Sequence, residues 1–189
     1  MEEKKYSELK NILTETNSAD IGDYLEAVPL GQLIVVFRLL PKELAAETFA
    51  QMEEDRQALL IQSFSDSELK AVIDELYVDD AVDLVEEMPA NMVKRILRQA
   101  NPEKRKLINE ILKYPEDSAG SIMTAEYIAL KKTMTAEQAL LYIRENGVDK
   151  ETIYNCYVTN SRRQLEGVIT LKDLVMATSD AVIGELMDT

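Results

Sequence analysis

The sequence predicts a multidomain chain: an all-α right-handed superhelix of short repeat helices, followed by a small α/β module of order β-α-β-β-α. Three observations predict it. From residue 41 the chain recurs every twelve residues, reading PKELAAETFAQM, EEDRQALLIQSF, SDSELKAVIDEL, YVDDAVDLVEEM, PANMVKRILRQA and NPEKRKLINEIL. The helical spacing of apolar residues stops near Tyr114-Pro115. Beyond that point, glycine-bounded runs of β-branched and aromatic residues alternate with helical patches.

The first helices are expected at Ser7–Thr16 and Ala19–Ala27, as a cap on the array. VPLGQLIVVFRLL then forms a further unit ahead of the twelve-residue blocks. Within the blocks, positions 8, 9 and 12 are mostly apolar, often joined by position 5. Examples are Leu69, Val72, Ile73 and Leu76, then Ala81, Leu84, Val85 and Met88. Spacings of three, four and seven place such residues on one helix face. Pro41, Ser65, Asp66, Pro89, Asn101 and Pro102 fall at block starts, where an N-cap or first-turn proline belongs. Each block is thus a helix of about two or three turns, marginal alone and dependent on stacking. The helical domain spans 1–113, and the segment YPEDSAG, 114–120, is the junction.

The second domain, 121–179, begins with a strand over Tyr127–Leu130. Thr135 caps a helix running to Asn146, with Ala139, Leu140 and Ile143 inward and Gly147 as its stop. Thr152–Thr159 and Leu165–Thr170 form a hairpin about the polar turn NSRRQ, and Leu171–Ala177 closes the module as a short helix.

Composition excludes several functions. The chain has 189 residues, with 21 Lys and Arg against 35 Asp and Glu, a net charge of −14. That sign disfavours nucleic acid as a partner. There is no histidine and one cysteine, Cys156. Histidine-based catalysis, histidine metal sites and an internal disulfide are therefore absent. The longest apolar run is Leu33–Phe37, far short of the about 18 residues a membrane span needs. The remaining chemistry is oxygen donors, which suit Mg²⁺ or Ca²⁺. No glycine-rich phosphate loop occurs. With no Trp, three Phe and no evident cleft, an enzyme using paired carboxylates ranks below a binding protein.

The β-α-β-β-α order, opening on GSIMTAEYIAL and closing on LEGVITLKDLV, resembles a CBS domain. CBS domains occur as tandem pairs and often bind adenine nucleotides. An acidic helical domain joined to such a module through YPEDSAGSIMT resembles the cytoplasmic region of the bacterial MgtE-type magnesium transporters. The resemblance covers essentially the whole chain. It implies a second CBS module and a membrane channel domain beyond this chain, with 180–189 as the start of the truncated second module, since VIGELMDT echoes AGSIMTAE. It places the fragment, itself soluble, on the cytoplasmic side of the bacterial inner membrane, and it makes the chain regulatory rather than enzymatic. It also implies that Mg²⁺ bridges the acidic helical domain to the CBS region and holds the transporter closed.

The residues supply candidates for these roles. Between Ala71 and Val93 there is no Lys or Arg but seven acids: Asp74, Glu75, Asp79, Asp80, Asp83, Glu86 and Glu87. Glu75/Asp79, Asp79/Asp83, Asp80/Asp83 and Asp83/Glu87 read as helical neighbours, whose repulsion of roughly 0.2–0.5 kcal/mol per pair a divalent cation would offset. Glu75, Asp79, Asp80, Asp83, Glu86 and Glu87 are the metal candidates. A solvated acidic face is the plainer alternative. Thr170-Leu171-Lys172-Asp173 matches the nucleotide-contacting motif of CBS modules, making Thr170 and Asp173 the nucleotide candidates. The same T-x-x-D is also a capping box. Cys156 reads as a buried small hydrophobe, Arg162 and Arg163 as solvated turn residues, and Met88, Met92 and Met123 as filler. Without a tandem mate, the module is expected to self-associate through Ala136–Ile143 and Leu171–Ala177, as a two-fold homodimer. The rival reading is a soluble CBS-type sensor of adenine nucleotides whose helical array docks a protein.

Overall fold

The computed structural model describes residues 2–115 and 118–189, in two compact units divided between Met123 and Thr124. Part of the expected junction, Glu116 and Asp117, lies outside the described residues.

Among the described residues the first unit comprises α1 (Glu2–Glu15), α2 (Ser18–Ala27), α3 (Leu30–Phe37), α4 (Lys42–Ala50), α5 (Glu54–Ser63), α6 (Asp66–Glu75), α7 (Val78–Glu87), α8 (Ala90–Gln99) and α9 (Pro102–Ile111). The helices start where short-range chemistry starts them. Asn17 and Asn101 accept N-cap hydrogen bonds from Ala19 and Lys104, and Ser65 and Glu68 form a capping box. Pro102 opens α9 at its first turn, whereas Pro41 and Pro89 stand one step earlier, as the N-caps of α4 and α8. None of the helices exceeds fourteen residues, so each depends on packing. Alternate helices pair, α2 on α4, α4 on α6, α6 on α8, α3 on α5 and α7 on α9. Their stripes form one core in which Leu69, Ile73, Ala81 and Leu84 are at most 2% exposed. Phe37, Phe49 and Phe64 meet ring to ring at its centre, with centroids 5.4–6.5 Å apart. Met88 and Met92 are buried filler, as expected, while Met123 is exposed.

The second unit is a three-stranded sheet in the order β1 (Ile128–Leu130), β2 (Asn155–Thr159), β3 (Leu165–Thr170). β1 runs parallel to β2, and β2 antiparallel to β3. Helix α10 (Ala136–Asn146) connects β1 to β2, α11 (Leu171–Met176) follows β3, and α12 (Ile183–Leu186) lies near the end. Alternate strand residues Ile128, Leu130, Cys156, Val158 and Ile169 join Ala139, Ile143 and Leu174 in a separate core. β2 is shorter than its sequence run, since Thr152–Tyr154 stay outside the ladder. Gly147 ends α10 with an ordinary right-handed φ of −85°. Glycine suits it because a Cβ there would stand 2.5 Å from the Ile143 carbonyl. Residues 181–188 lace onto this unit: Ile183 is fully buried, Ile183 and Gly184 donate to the carbonyls of Met134 and Lys132, and Val168 and Asp188 exchange two hydrogen bonds.

Candidate functional site

The carboxyl ends of α2 to α6 each meet residues from the first two turns of the helix three further along. Helix termini carry carbonyls without intrahelical partners and a partial negative charge, so the residue supplied there matters. At the end of α2, Arg56 of α5 donates to the carbonyls of Val28, at 3.1 Å, and Glu26. At the end of α5, Arg95 of α8 donates to Ile61 and Phe64, both at 2.6 Å. At the end of α6, Lys104 of α9, buried to 9% exposure, donates to Ile73 at 3.0 Å, to Asp74 at 2.9 Å and to Leu76. At α3 the order inverts: Arg38, its C-cap, pairs with Glu68 of α6 at 2.7 Å. Bonds from Ser65 and Arg38 hold the Glu68 carboxyl down to about 2, well below the usual glutamate value.

The end of α4 differs. The facing residues come from α7, whose apolar face is buried and whose polar face carries only acids. Asp80, Asp83 and Glu87 line a polar cleft of about 130 Å³ with Phe49 and Ala50 of α4 and Gln57 of α5. Gln57 is 5% exposed, and its Nε2 donates to the Phe49 carbonyl at 2.8 Å, which fixes the amide orientation. Its Oε1, turned the other way, is buried and accepts no hydrogen bond. Burial, then Glu54, Asp83, Glu53 and Glu86 in that order, push the Glu87 carboxyl upward. Anionic charge is therefore crowded here.

The sequence-predicted metal residues divide accordingly. Asp80, Asp83 and Glu87 share this cleft, while Glu75, Asp79 and Glu86 do not line it. Glu75 ends α6 and Asp79 opens α7, with Leu76 and Tyr77 breaking the helix between them. Their expected pairing as neighbours on one helix is thus corrected. Among the described residues, no three carboxylate or thiol groups converge closely enough to coordinate one ion directly. The oxygen-only donor set and the orphaned Gln57 Oε1 suit a hard cation that keeps part of its water. Gln57 was not among the sequence candidates. The signal lay in the period: Gln57 stands at the fifth position of its twelve-residue block, where Ala45, Leu69, Ala81 and Val93 are apolar.

In the second unit, Thr170 and Asp173 form a capping box at α11. The Asp173 amide donates to Thr170 Oγ1 at 3.1 Å, and the Asp173 carboxylate accepts from the Thr170 amide at 3.2 Å and from its hydroxyl. Those bonds, and Lys172 nearby, lower the Asp173 carboxyl. Cys156 is fully buried, and burial raises its thiol to about 11, so it is an inert core residue. Arg162 and Arg163 are exposed in the hairpin turn, with Arg163 at a φ of 60°. Among the described residues, no helix is long and apolar enough to cross a membrane.

Comparison with known proteins gives concordant matches. Residues 16–117 match the family described as the MgtE intracellular N domain, and residues 119–180 match the CBS domain. The chain is 31% identical to the magnesium transporter MgtE of Thermus thermophilus over 100% of its own length and 45% of that protein's. Against MgtE of Bacillus subtilis it is 21% identical, over 98% of the chain and 41% of the relative. The chain thus spans less than half the length of these curated relatives. Among solved structures, the cytosolic domain of the Mg²⁺ channel MgtE in complex with ATP superposes with a TM-score of 0.87 at 31% identity, covering 95% of this chain and 73% of that one. The soluble part of a magnesium transporter gives 0.89 at 24% identity, covering 99% and 74%, a likeness of fold.

Proposed function

The chain belongs to the MgtE family, joining an MgtE intracellular N domain to a CBS domain, and from that premise we infer that it is a regulatory magnesium-sensing region of a magnesium transporter. It acts by binding and carries no reaction. One observation carries this reading: the exposed face of α7 is wholly acidic, with Asp83, Glu86 and Glu87 on the surface and no basic residue between Ala71 and Val93. Mg²⁺ binds oxygen donors and retains water, so rising magnesium neutralises these carboxylates and favours a compact arrangement of the intact protein. Falling magnesium restores their repulsion. In the whole transporter that population shift reaches the pore.

The test compares Mg²⁺ with Na⁺ or K⁺ at matched ionic strength. Millimolar Mg²⁺ should raise the melting temperature and shrink the radius of gyration, and monovalent salt should do so weakly. Replacing Asp79, Asp80 and Asp83 together by Asn should abolish the magnesium increment and stabilise the magnesium-free protein. Equal responses to Mg²⁺ and Na⁺, in the chain and in the whole transporter alike, would overturn the reading.

A second ligand is supported by the ATP complex of the related cytosolic domain: an adenine nucleotide at Thr170 and Asp173, which titration calorimetry with ATP and AMP measures. Self-association through α10 and α11 is supported by Leu141, Tyr142, Val175 and Met176, which are 38–78% exposed. Sedimentation at rising concentration reads it.

A further inference from the structure

Between Glu26 and Glu43 the sequence holds no acid, only the two cations Arg38 and Lys42, in a chain whose net charge is −14. Helix α3 occupies the middle of that stretch, and it carries no charge of its own. Gly31, Ile34, Val35 and Arg38 stand at i, i+3, i+4 and i+7, one face of a helix, and each is exposed or half-buried. Leu30 and Val35 leave 43% and 42% of their surface in solvent. At the carboxyl end of this face a cleft of about 170 Å³ opens, walled by Phe37, Leu40, Phe64 and Val72, with Arg38 and Lys42 beside them. Glu68 also lines it, but its carboxylate is taken up by Arg38 and Ser65. Lys42 opens α4, whose N-cap, Pro41, supplies no side-chain hydrogen bond, so the positive end of that helix adds to the charge of the lysine. Glu43 does not line the cleft.

Gly31 supplies an observation independent of charge. A glycine inside a helix destabilises it relative to alanine. Among the described residues, nothing lies within 4 Å of the place its Cβ would take. The fold of this unit therefore makes no use of the missing side chain, whereas a partner backbone lying close against α3 would. We propose that the outer face of α3 and the adjoining cleft form a docking surface for an acidic amphipathic helix of a partner protein. The partner's backbone crosses at Gly31, one large apolar side chain enters the cleft, and its acidic flank meets Lys42 and Arg38. Size points to a single side chain. The cleft is smaller than the about 300 Å³ at which small-molecule sites begin, yet an apolar cavity of about 150 Å³ accepts a benzene ring. One anchoring Phe or Leu fills it, as at the centre of a protein interface. Charge argues against a second copy bound through the same face. A two-fold contact sets the same patch on both sides, and this patch offers Arg38 and Lys42 no acid of a partner to meet. A lipid surface would use neither the glycine nor a cavity of one ring. The surface lies on α3, α4 and α6, away from α7, and stands independently of the magnesium reading.

The experiment uses the full chain, labelled with nitrogen-15, and two synthetic amphipathic helical peptides that share a stripe of Leu and Phe. One is flanked by Glu and the other by Lys. The Glu peptide should shift the amide resonances of Gly31, Val35 and Lys42 and leave those of α7 in place. Gly31→Leu meets open space in the free chain, so it should keep or raise the melting temperature. The same variant should weaken binding of the Glu peptide about tenfold, the loss of one close contact. Lys42→Glu, at an exposed position, should weaken that peptide about fivefold and leave the Lys peptide no weaker. Equal binding of the two peptides overturns the proposal, because charge then selects nothing. Shifts that spare α3, or that persist undiminished in Gly31→Leu, overturn it as well. Concentration-dependent shifts at Gly31 without peptide would make a second copy the occupant. Shifts caused by phosphatidylglycerol vesicles but not by the Glu peptide would make it a lipid surface. Either result overturns the proposal.

Discussion

Replacing Lys104 by Met tests whether the helix-end bonds stabilise the array. The butyl-ammonium side chain is buried, and its Nζ donates to the carbonyls of Ile73, Asp74 and Leu76 at the end of α6. Met fills nearly the same volume, so no cavity term enters. What is lost is three bonds from a charged donor. Bonds of this kind contribute about 1.5–3 kcal/mol each when one partner is removed. Removing the buried ammonium also recovers its desolvation cost of several kcal/mol, so the net is far below the sum. We expect a loss of about 2–3 kcal/mol. At about 4 °C per kcal/mol for a unit of this size, the melting temperature falls by about 8–12 °C. Far-UV circular dichroism in urea should show a lower midpoint at unchanged slope. The control is Lys106→Met, whose ion pair with Glu110 is long, at 3.8 Å, and exposed; it should cost under about 0.5 kcal/mol. If both variants fall within 0.5 kcal/mol of the parent, the buried lysine does not hold α6, and the account of the helix ends is wrong.

Two further outcomes follow from individual residues. Glu68 sits at about 2 in the folded chain against an ordinary 4.5, so its contribution is complete above pH 4.5 and disappears as pH falls toward 2. The shift alone would give about 3.4 kcal/mol. With 35% of the side chain exposed, screening reduces this to about 1 kcal/mol; Glu68→Gln should cost that at pH 7 and nearly nothing at pH 2.5 in matched urea melts. In the second unit, a Cβ at Gly167 would lie 2.5 Å from the Asp188 carbonyl and 2.8 Å from Met187 sulfur. Gly167→Ala should therefore cost about 1–3 kcal/mol and speed hydrogen exchange at Asp188, whereas Gly31→Ala, with nothing within 4 Å, should gain about 0.5–1 kcal/mol.

The sequence by itself determined the helices and most of the strands, because their signals are local. Ser65 with Glu68, Asn101 with Pro102, and Thr135 with Gln138 are capping pairs three residues or fewer apart. A local backbone conformation needs no distant partner to specify it. The stripes Leu69–Leu76 and Ala81–Met88 are buried as their spacing required, since a helix presents i, i+3, i+4 and i+7 on one side. The acidity of α7 was equally plain. Its meaning was not. Glu75, Asp79 and Glu86 looked the same in the sequence as Asp80, Asp83 and Glu87, and only packing against α4 and α5 separates the three that share a cleft with Gln57. Likewise no motif in the sequence marks Arg56, Arg95 or Lys104, yet each spans about thirty residues of chain to cap another helix. Their partners are backbone carbonyls, which every residue carries and which no side-chain pattern can distinguish. Which carbonyls remain unpaired, and which charge arrives beside them, was decided by where helices α2 to α6 end against the one three places on.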